Sequence, residues 1–139
     1  MEKFNGKWEL VPESYENMDA FSEKLGVPKE QMDLIKSLVM ITTLKLEENK
    51  LHVLVEYKDQ PMKQELCFTD GEPLDYKELD GSEMTTEYTR KGDRLHEKHK
   101  SVSKGTTMEW TVERYIEGDM QVAISSKDDV SMTYKMKRV

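Results

Sequence analysis

The sequence is poor in the residues that form disulfide frameworks and membrane spans. It contains one cysteine, Cys67, in 139 residues, which excludes an internal disulfide and fits a reducing compartment. Its apolar runs are too short for a signal peptide or a membrane span, and Met1-Glu2-Lys3 leads directly into a strand pattern. These shortages predict a cytoplasmic protein.

Basic charge is also in short supply. The chain carries a formal net charge of −7, and 35% of its residues are charged. Phosphate recognition needs a concentrated basic face, so this balance argues against a nucleic-acid partner.

Apolar residues make up 36% of the chain and are evenly spaced, which argues against global disorder. The length predicts a single domain over residues 1–139.

Catalytic and metal-binding patterns are missing from the sequence. There is no Gly-x-Ser-x-Gly elbow, no cysteine–histidine pairing and no zinc spacing. The histidines are His52, His96 and His99, and the last two fall on opposite faces of one predicted strand. Cys67 shows no sign of an activated thiolate. We therefore expect neither an enzyme nor a cofactor or metal site.

One segment has helical periodicity. Met18, Phe21 and Leu25 lie at i, i+3 and i+7, and Gly26 ends this short helix. Pro28 suits the start of a second helix. We predict that one face of this second helix carries Met32, Ile35, Leu38 and Val39.

The rest of the chain alternates with a period of two. Turn signals such as Asp70-Gly71 and Glu117-Gly118 separate the strand patterns, which number about ten when residues 4–11 are included. This count favours a closed antiparallel barrel or a sandwich. The run from Arg94 to Lys100 is polar on both faces. It fits either a barrel with a partly hydrated interior or an edge strand wet on both faces.

The opening Phe4-x-Gly6-Lys7-Trp8-Glu9-Leu10, followed by residues 16–21 and Leu25-Gly26-Val27, resembles the N-terminus of the intracellular lipid-binding proteins, the fatty-acid-binding and retinoid-binding family. Residues 74–81, 112–118 and 128–139 are similar to later motifs of that family. The resemblance implies an all-β, ten-stranded antiparallel up-and-down barrel of the calycin-like type. It also implies a two-helix cap between the first two strands, a monomer, and a cavity for an apolar ligand.

The resemblance further implies that two arginines and a tyrosine hold a ligand carboxylate. In this chain, however, the last-strand Arg-x-Tyr position is Tyr134-Lys135-Met136, and the first arginine falls on Glu113. An inward Glu113 would repel a carboxylate. One alternative is a bulge that turns Arg114 inward and restores one cation. The other is that Glu113 faces in and the site prefers a neutral or hydroxylated ligand, or one held head-outward near the portal. We favour loss of the double-arginine clamp.

We therefore expect a non-enzymatic carrier of a long-chain fatty acid or a similar hydrophobic ligand. The alternatives are a bulkier or uncharged ligand such as a retinoid, sterol or bile-type compound, or a protein-interaction module on the same fold. Transient membrane contact through the helical cap is a further expectation. Strand faces assigned inward include Val53 and Ile124. The candidate ligand-binding residues are Met18, Phe21, Met40, Val55, Tyr57, Glu113, Arg114, Val122, Met132, Tyr134 and Met136.

Overall fold

A computed structural model describes residues 2–139. Within these residues, two helices and ten strands follow one another along the chain. They are β1 (Gly6–Leu10), α1 (Met18–Leu25), α2 (Lys29–Ser37), β2 (Met40–Glu47), β3 (Lys50–Tyr57), β4 (Lys63–Thr69), β5 (Pro73–Lys77), β6 (Glu83–Lys91), β7 (Arg94–Ser103), β8 (Thr106–Glu117), β9 (Met120–Lys127) and β10 (Val130–Arg138).

The ten strands form one antiparallel sheet in the order β4-β3-β2-β1-β10-β9-β8-β7-β6-β5. Apart from β4 and β5, each strand pairs with its neighbour in sequence, and β1 also pairs with β10, which curls the sheet into a barrel. The remaining seam lies between β4 and β5. There Gln64 Nε2 donates to the carbonyl oxygen of Lys77 at 2.6 Å. The predicted ten-stranded barrel with two helices between its first strands is confirmed.

The end of the barrel away from the helices, called here the base, is packed with apolar side chains. Trp8 and Phe4 are fully buried there, and Trp8 Nε1 donates to the Phe4 carbonyl oxygen at 2.9 Å. Phe4 lies in a short 3-10 turn, Glu2–Phe4, rather than in the first strand as expected. This turn lets an aromatic ring close the barrel below β1. The same buried cluster includes Leu44, Leu51, Val53, Phe68, Leu95 and Met136.

The two helices differ in how firmly they are held. α1 buries Met18 and Phe21 and packs on β10, with further contacts to β8 and β9. It ends at Gly26, whose φ of 83° suits glycine and whose N–H donates to the Glu23 carbonyl oxygen at 3.1 Å. All of α2 lies within the described part of the chain, and none of its residues is buried.

The predicted apolar face of α2 is only partly correct. The helix ends at Ser37, and Leu38 has an extended backbone that caps it. Val39 packs against the barrel core, whereas Ile35 is 40% exposed. The chain turns towards β2 before a helical stripe from Met32 to Val39 can form. In the part of the chain that the structure describes, no helix has the length and apolar character needed to cross a membrane.

Candidate functional site

The half of the barrel nearest the helices, called here the mouth, is lined by apolar side chains that keep accessible surface. Because paired residues share a face of the sheet, the register places these side chains on the same face as buried Thr42 and Val53. Partial accessibility on this face shows that the mouth half is not sealed from solvent. The partly exposed residues of this inner face include Met40, Val55, Tyr57, Leu66, Leu74, Tyr76, Trp110 and Met132.

Arg114 points into the barrel, and Glu113 points out of it. The pairing of β8 with β7 and β9 is continuous from Thr111 to Arg114, so no bulge is needed to bring the arginine inside. On the outer surface, Glu113 Oε1 accepts from Arg94 Nη1 at 2.6 Å. The expectation of an inward Glu113 is therefore wrong, because the family-based alignment placed the first arginine one residue too early.

Arg114 is the centre of a hydrogen-bond network inside the barrel. Its Nε donates to Glu97 Oε2 on β7. Its Nη1 donates to Gln121 Oε1 on β9 at 3.1 Å, and its Nη2 donates to the Tyr134 hydroxyl on β10 at 3.1 Å. The four side chains come from four adjacent strands. The inner wall therefore carries a polar cluster in which the Glu97 carboxylate matches the Arg114 charge.

The network continues from Glu97 towards β5 and β6. Glu97 Oε1 lies 2.7 Å from His99 Nε2, and His99 Nδ1 lies 3.0 Å from Thr86 Oγ1. Thr86 Oγ1 lies 2.9 Å from the Tyr76 hydroxyl. One set of directions satisfies every donor: Tyr76 donates to Thr86, Thr86 to His99, and His99 to Glu97. The His99 ring also stacks on Trp110, with ring centroids 5.2 Å apart.

The electrostatics of this cluster favour the ionised pair. Glu97 is 1% exposed. Burial opposes its charge, but the Arg114 charge and the hydrogen bonds from His99 and Arg114 outweigh burial and lower the Glu97 pKa to about 2. Burial likewise opposes the charge of Arg114, but Glu97 raises the Arg114 pKa above its usual range. Both groups are therefore charged at neutral pH.

Gln121 holds the one buried side-chain polar atom that lacks a hydrogen-bond partner within residues 2–139. The residue is 1% exposed, and its Nε2 is the unpartnered atom. Arg114 can only donate, so the oxygen of the amide must face the guanidinium and the nitrogen must point elsewhere. Gln121 pairs with Met136 on β10 and with Ile116 on β8, which places it on the inner face. A buried N–H without an acceptor is costly, so Nε2 is a donor that residues 2–139 leave unmet.

The mouth is covered by α1 and the turn that precedes it. The ring of Tyr15 lies 5.7 Å from the ring of Tyr134, measured between centroids. Burial raises the Tyr15 pKa to about 12, so its hydroxyl stays protonated. Lys24 on α1 lies 3.9 Å from both Asp128 and Asp129, in the turn between β9 and β10. These exposed ion pairs contribute little, and α1 is held in the cover mainly by its buried Met18 and Phe21.

The structure separates the candidate residues into three groups. Met40, Val55, Tyr57 and Met132 line the mouth half, and Arg114 and Tyr134 belong to the polar network. Met18 and Phe21 are buried on α1, and Met136 is buried in the base. Glu113 and Val122 lie on the outer face.

The expectation that Val122 and Ile124 face inward is wrong. Val122 pairs with exposed Lys135, whereas Ala123 pairs with Tyr134 and Arg114. The apolar alternation of β9 misleads because the inner face of this strand carries Gln121, Ala123 and Ser125. Of these three residues, Gln121 contributes its amide oxygen to the Arg114 network.

Sequence reasoning missed Glu97, His99 and Gln121 as site residues. A signal existed for Glu97 and His99, because the polar run of residues 94–100 already indicated inward polar groups, and Leu95, Glu97 and His99 share one face. Nothing in the sequence singles out Gln121. Within residues 2–139 no group of three or more histidine, cysteine, aspartate or glutamate side chains could hold a metal ion.

Known proteins resemble this chain along its full length. A curated fatty acid-binding protein type 3 from Fasciola hepatica is 29% identical over 139 residues, covering 100% of both chains. A solved Schistosoma mansoni fatty acid binding protein in complex with arachidonic acid has a TM-score of 0.80 and 24% identity, covering 100% of this chain and 98% of the other. Secretory abundant heat soluble protein 4 from Ramazzottius varieornatus has a TM-score of 0.86 at 22% identity, covering 100% and 96%. No protein-family model matches the chain.

The barrel and its two-helix cap have the same fold as the Schistosoma fatty acid binding protein. The two solved structures are under 25% identical and support the fold alone. In sequence along its whole length and in fold, the chain is therefore similar to the intracellular lipid-binding proteins, from which its sequence diverges. The names of the Fasciola and Schistosoma proteins describe lipid binding.

Proposed function

We propose that this protein is a non-enzymatic carrier that holds a long-chain fatty acid or a similar hydrophobic ligand inside the barrel. The observation that carries the proposal is the accessible apolar inner wall of the mouth half, which ends at the Arg114 network. An apolar chain against this wall gains about 0.8 kcal/mol per buried methylene, before the costs of association. The polar end of the ligand then meets the network.

The loosely held α2 supports a route for entry. Its Leu34 is 59% exposed, and Lys36 on α2 reaches back to Asp19 on α1 at 2.6 Å. An exposed ion pair of this kind contributes little to stability, so α2 can move away from the barrel at low cost. In the proposed cycle α2 opens and α1 stays in place.

Exposed apolar side chains surround the same opening. Leu34 and Ile35 lie on α2, Met62 lies in the turn between β3 and β4, and Leu79 lies in the turn between β5 and β6. Both turns are at the helix end of the barrel. We propose that this rim makes transient contact with a lipid surface while the ligand transfers, and that the carrier works as a monomer in the cytoplasm.

Titration of delipidated protein with a fluorescent apolar probe, followed by displacement with single-chain lipids, tests the carrier function. We expect saturable binding at about one ligand per barrel. The variant Val55→Lys places a positive charge on the inner wall and should abolish binding of the probe. The matched variant Leu54→Lys places the same charge on the outer face of the same strand and should bind normally.

Circular dichroism and thermal unfolding should show that both variants keep the barrel. No saturable binding of any single-chain lipid to the wild type would refute the carrier function. Equal losses in the two variants would show that the probe does not occupy the interior.

A further inference from the structure

The inner wall places a carboxylate of the protein beside its own arginine. Arg114 pairs with Ala123 on β9, so Gln121 lies diagonally across from it, and Glu97 lies diagonally across on β7. Long side chains reach one another at such diagonal positions. Glu97 Oε2 accepts from Arg114 Nε, and Glu97 Oε1 is 2.7 Å from His99 Nε2. Both carboxylate oxygens are therefore in use.

This pairing changes what the site accepts. The positive charge of Arg114 is already neutralised by the Glu97 carboxylate, which is fully buried against it. A ligand carboxylate beside this pair would bring a second negative charge close to Glu97 in a desolvated place, and buried like charges strongly disfavour one another. An uncharged head group adds no negative charge beside Glu97 and therefore avoids this repulsion.

The Gln121 amide supplies the complementary donor. Its Oε1 is held by Arg114 Nη1 at 3.1 Å, which leaves Nε2 as a buried donor without a partner in residues 2–139. A hydroxyl or carbonyl oxygen accepts from such a donor without adding charge. The Tyr134 hydroxyl, already bonded to Arg114 Nη2, lies in the same cluster and keeps an accepting lone pair.

We infer that the barrel selects single-chain lipids with an uncharged, oxygen-bearing head group, such as a long-chain alcohol, over the corresponding carboxylates. The inference rests on the proposed carrier function and names the class of ligand for that same site. Glu97 occupies the position in which a ligand carboxylate would pair with Arg114. Gln121 Nε2 donates to the ligand oxygen.

A matched pair of fluorescent lipids tests this selection. Cis-parinaric acid and the alcohol obtained by reducing its carboxyl group share one chain and differ only at the head. At neutral pH we expect wild-type protein to bind the alcohol at least about tenfold more tightly than the acid, since the acid must either bring a charge or bind protonated. Equal affinities, or tighter binding of the acid, would overturn the inference.

Two variants identify the residues responsible. Glu97→Gln removes the internal carboxylate and frees Arg114, so binding of the acid should tighten by about tenfold or more. Gln121→Leu removes the donor and should weaken alcohol binding by roughly threefold to tenfold. The control Glu113→Gln removes an outer-surface carboxylate that pairs with Arg94, and should change neither affinity.

The outcomes separate the selection from the carrier function. If neither probe binds wild-type protein, the carrier function fails, and the inference fails with it. If both bind but the acid is preferred, the carrier function stands and only the selection is wrong. If circular dichroism shows that Glu97→Gln does not fold, the wild-type preference and the effect of Gln121→Leu still test the selection for uncharged head groups.

Discussion

Glu113 and Arg114 are neighbours on β8, yet their side chains lie on opposite sides of the barrel wall. Glu113 pairs with Arg94 at 2.6 Å on the outer surface, and Arg114 donates to Tyr134 at 3.1 Å inside. β8 thus contributes to two ion pairs, a surface pair of Glu113 with Arg94 and a buried pair of Arg114 with Glu97. The two pairs are expected to respond very differently to mutation.

Removing the inner cation should be much more damaging than removing the outer one. Arg114→Gln leaves the Glu97 carboxylate buried without its ion partner, and such a loss costs about 3–5 kcal/mol. Replacing both groups, as Glu97→Gln with Arg114→Gln, should recover part of that stability. Urea unfolding measures the free energy of each variant.

The outer pair provides the control for that comparison. Arg94→Gln should leave the unfolding midpoint close to wild type, because exposed ion pairs contribute little. Comparable losses for Arg94→Gln and Arg114→Gln would contradict the assignment of Arg114 to the interior network.

Acid should destabilise the barrel through Glu97. Its pKa is about 2 in the folded protein and 4.5 for the unperturbed group. A lowered pKa adds stability above the unfolded value, and that stability is lost as the pH falls from about 4.5 to 2. The difference corresponds to about 3 kcal/mol. Unfolding free energies measured across this range should fall more steeply for wild type than for Glu97→Gln; parallel curves would show that Glu97 is not held as the charged form.

The fold followed from the sequence because its signals are local and repeated. Period-two alternation, turn pairs such as Glu117-Gly118, and the helical spacing of Met18 and Phe21 each depend on a few neighbouring residues. These signals yielded the ten strands and the position of α1. The end of α2 was missed, since Leu38 and Val39 continue the helical spacing while the backbone has already become extended.

Only part of the candidate site could be predicted from the sequence. Apolar alternation finds the inner face of a strand when that face is the more apolar one, as for Val53 and Val55 on β3. On β9 the rule fails, because Gln121 faces the interior and Val122 does not. The ion pair between Glu97 and Arg114 depends on register between strands, which neither strand reveals alone. Polar interiors are therefore the part of such a barrel that a single sequence predicts least well.

The two helices should differ in local stability. Amide hydrogen exchange of α2 should be much faster than that of α1, because none of the α2 residues, all of which the structure describes, is buried. Phe21→Ala should cost about 3–5 kcal/mol of unfolding free energy. Leu34→Ala on α2 should stay within about 0.5 kcal/mol of wild type. Equal exchange in the two helices would contradict opening through α2.

Gly6, at the start of β1, has a backbone conformation that other residues adopt only with strain. Its φ is 129°, and a Cβ atom there would lie 2.7 Å from Arg138 Nη1. The Arg138 guanidinium sits 4.2 Å from the centre of the Trp8 ring, and its Nη1 donates to the Asn5 carbonyl oxygen at 2.8 Å. Gly6→Ala should therefore strain the backbone and displace Arg138 from the base, at a cost of about 1–3 kcal/mol.

The matched control for Gly6 is Gly118, in the turn between β8 and β9. Its φ of 64° is left-handed helical, a conformation that asparagine tolerates, and a Cβ there meets nothing within 4 Å. Gly118→Asn should therefore unfold at nearly the wild-type urea concentration, whereas Gly6→Ala should unfold at a clearly lower one. If Gly6→Ala matched wild type, the backbone and the Arg138 side chain would have relaxed around the added Cβ atom, which would contradict the expected strain.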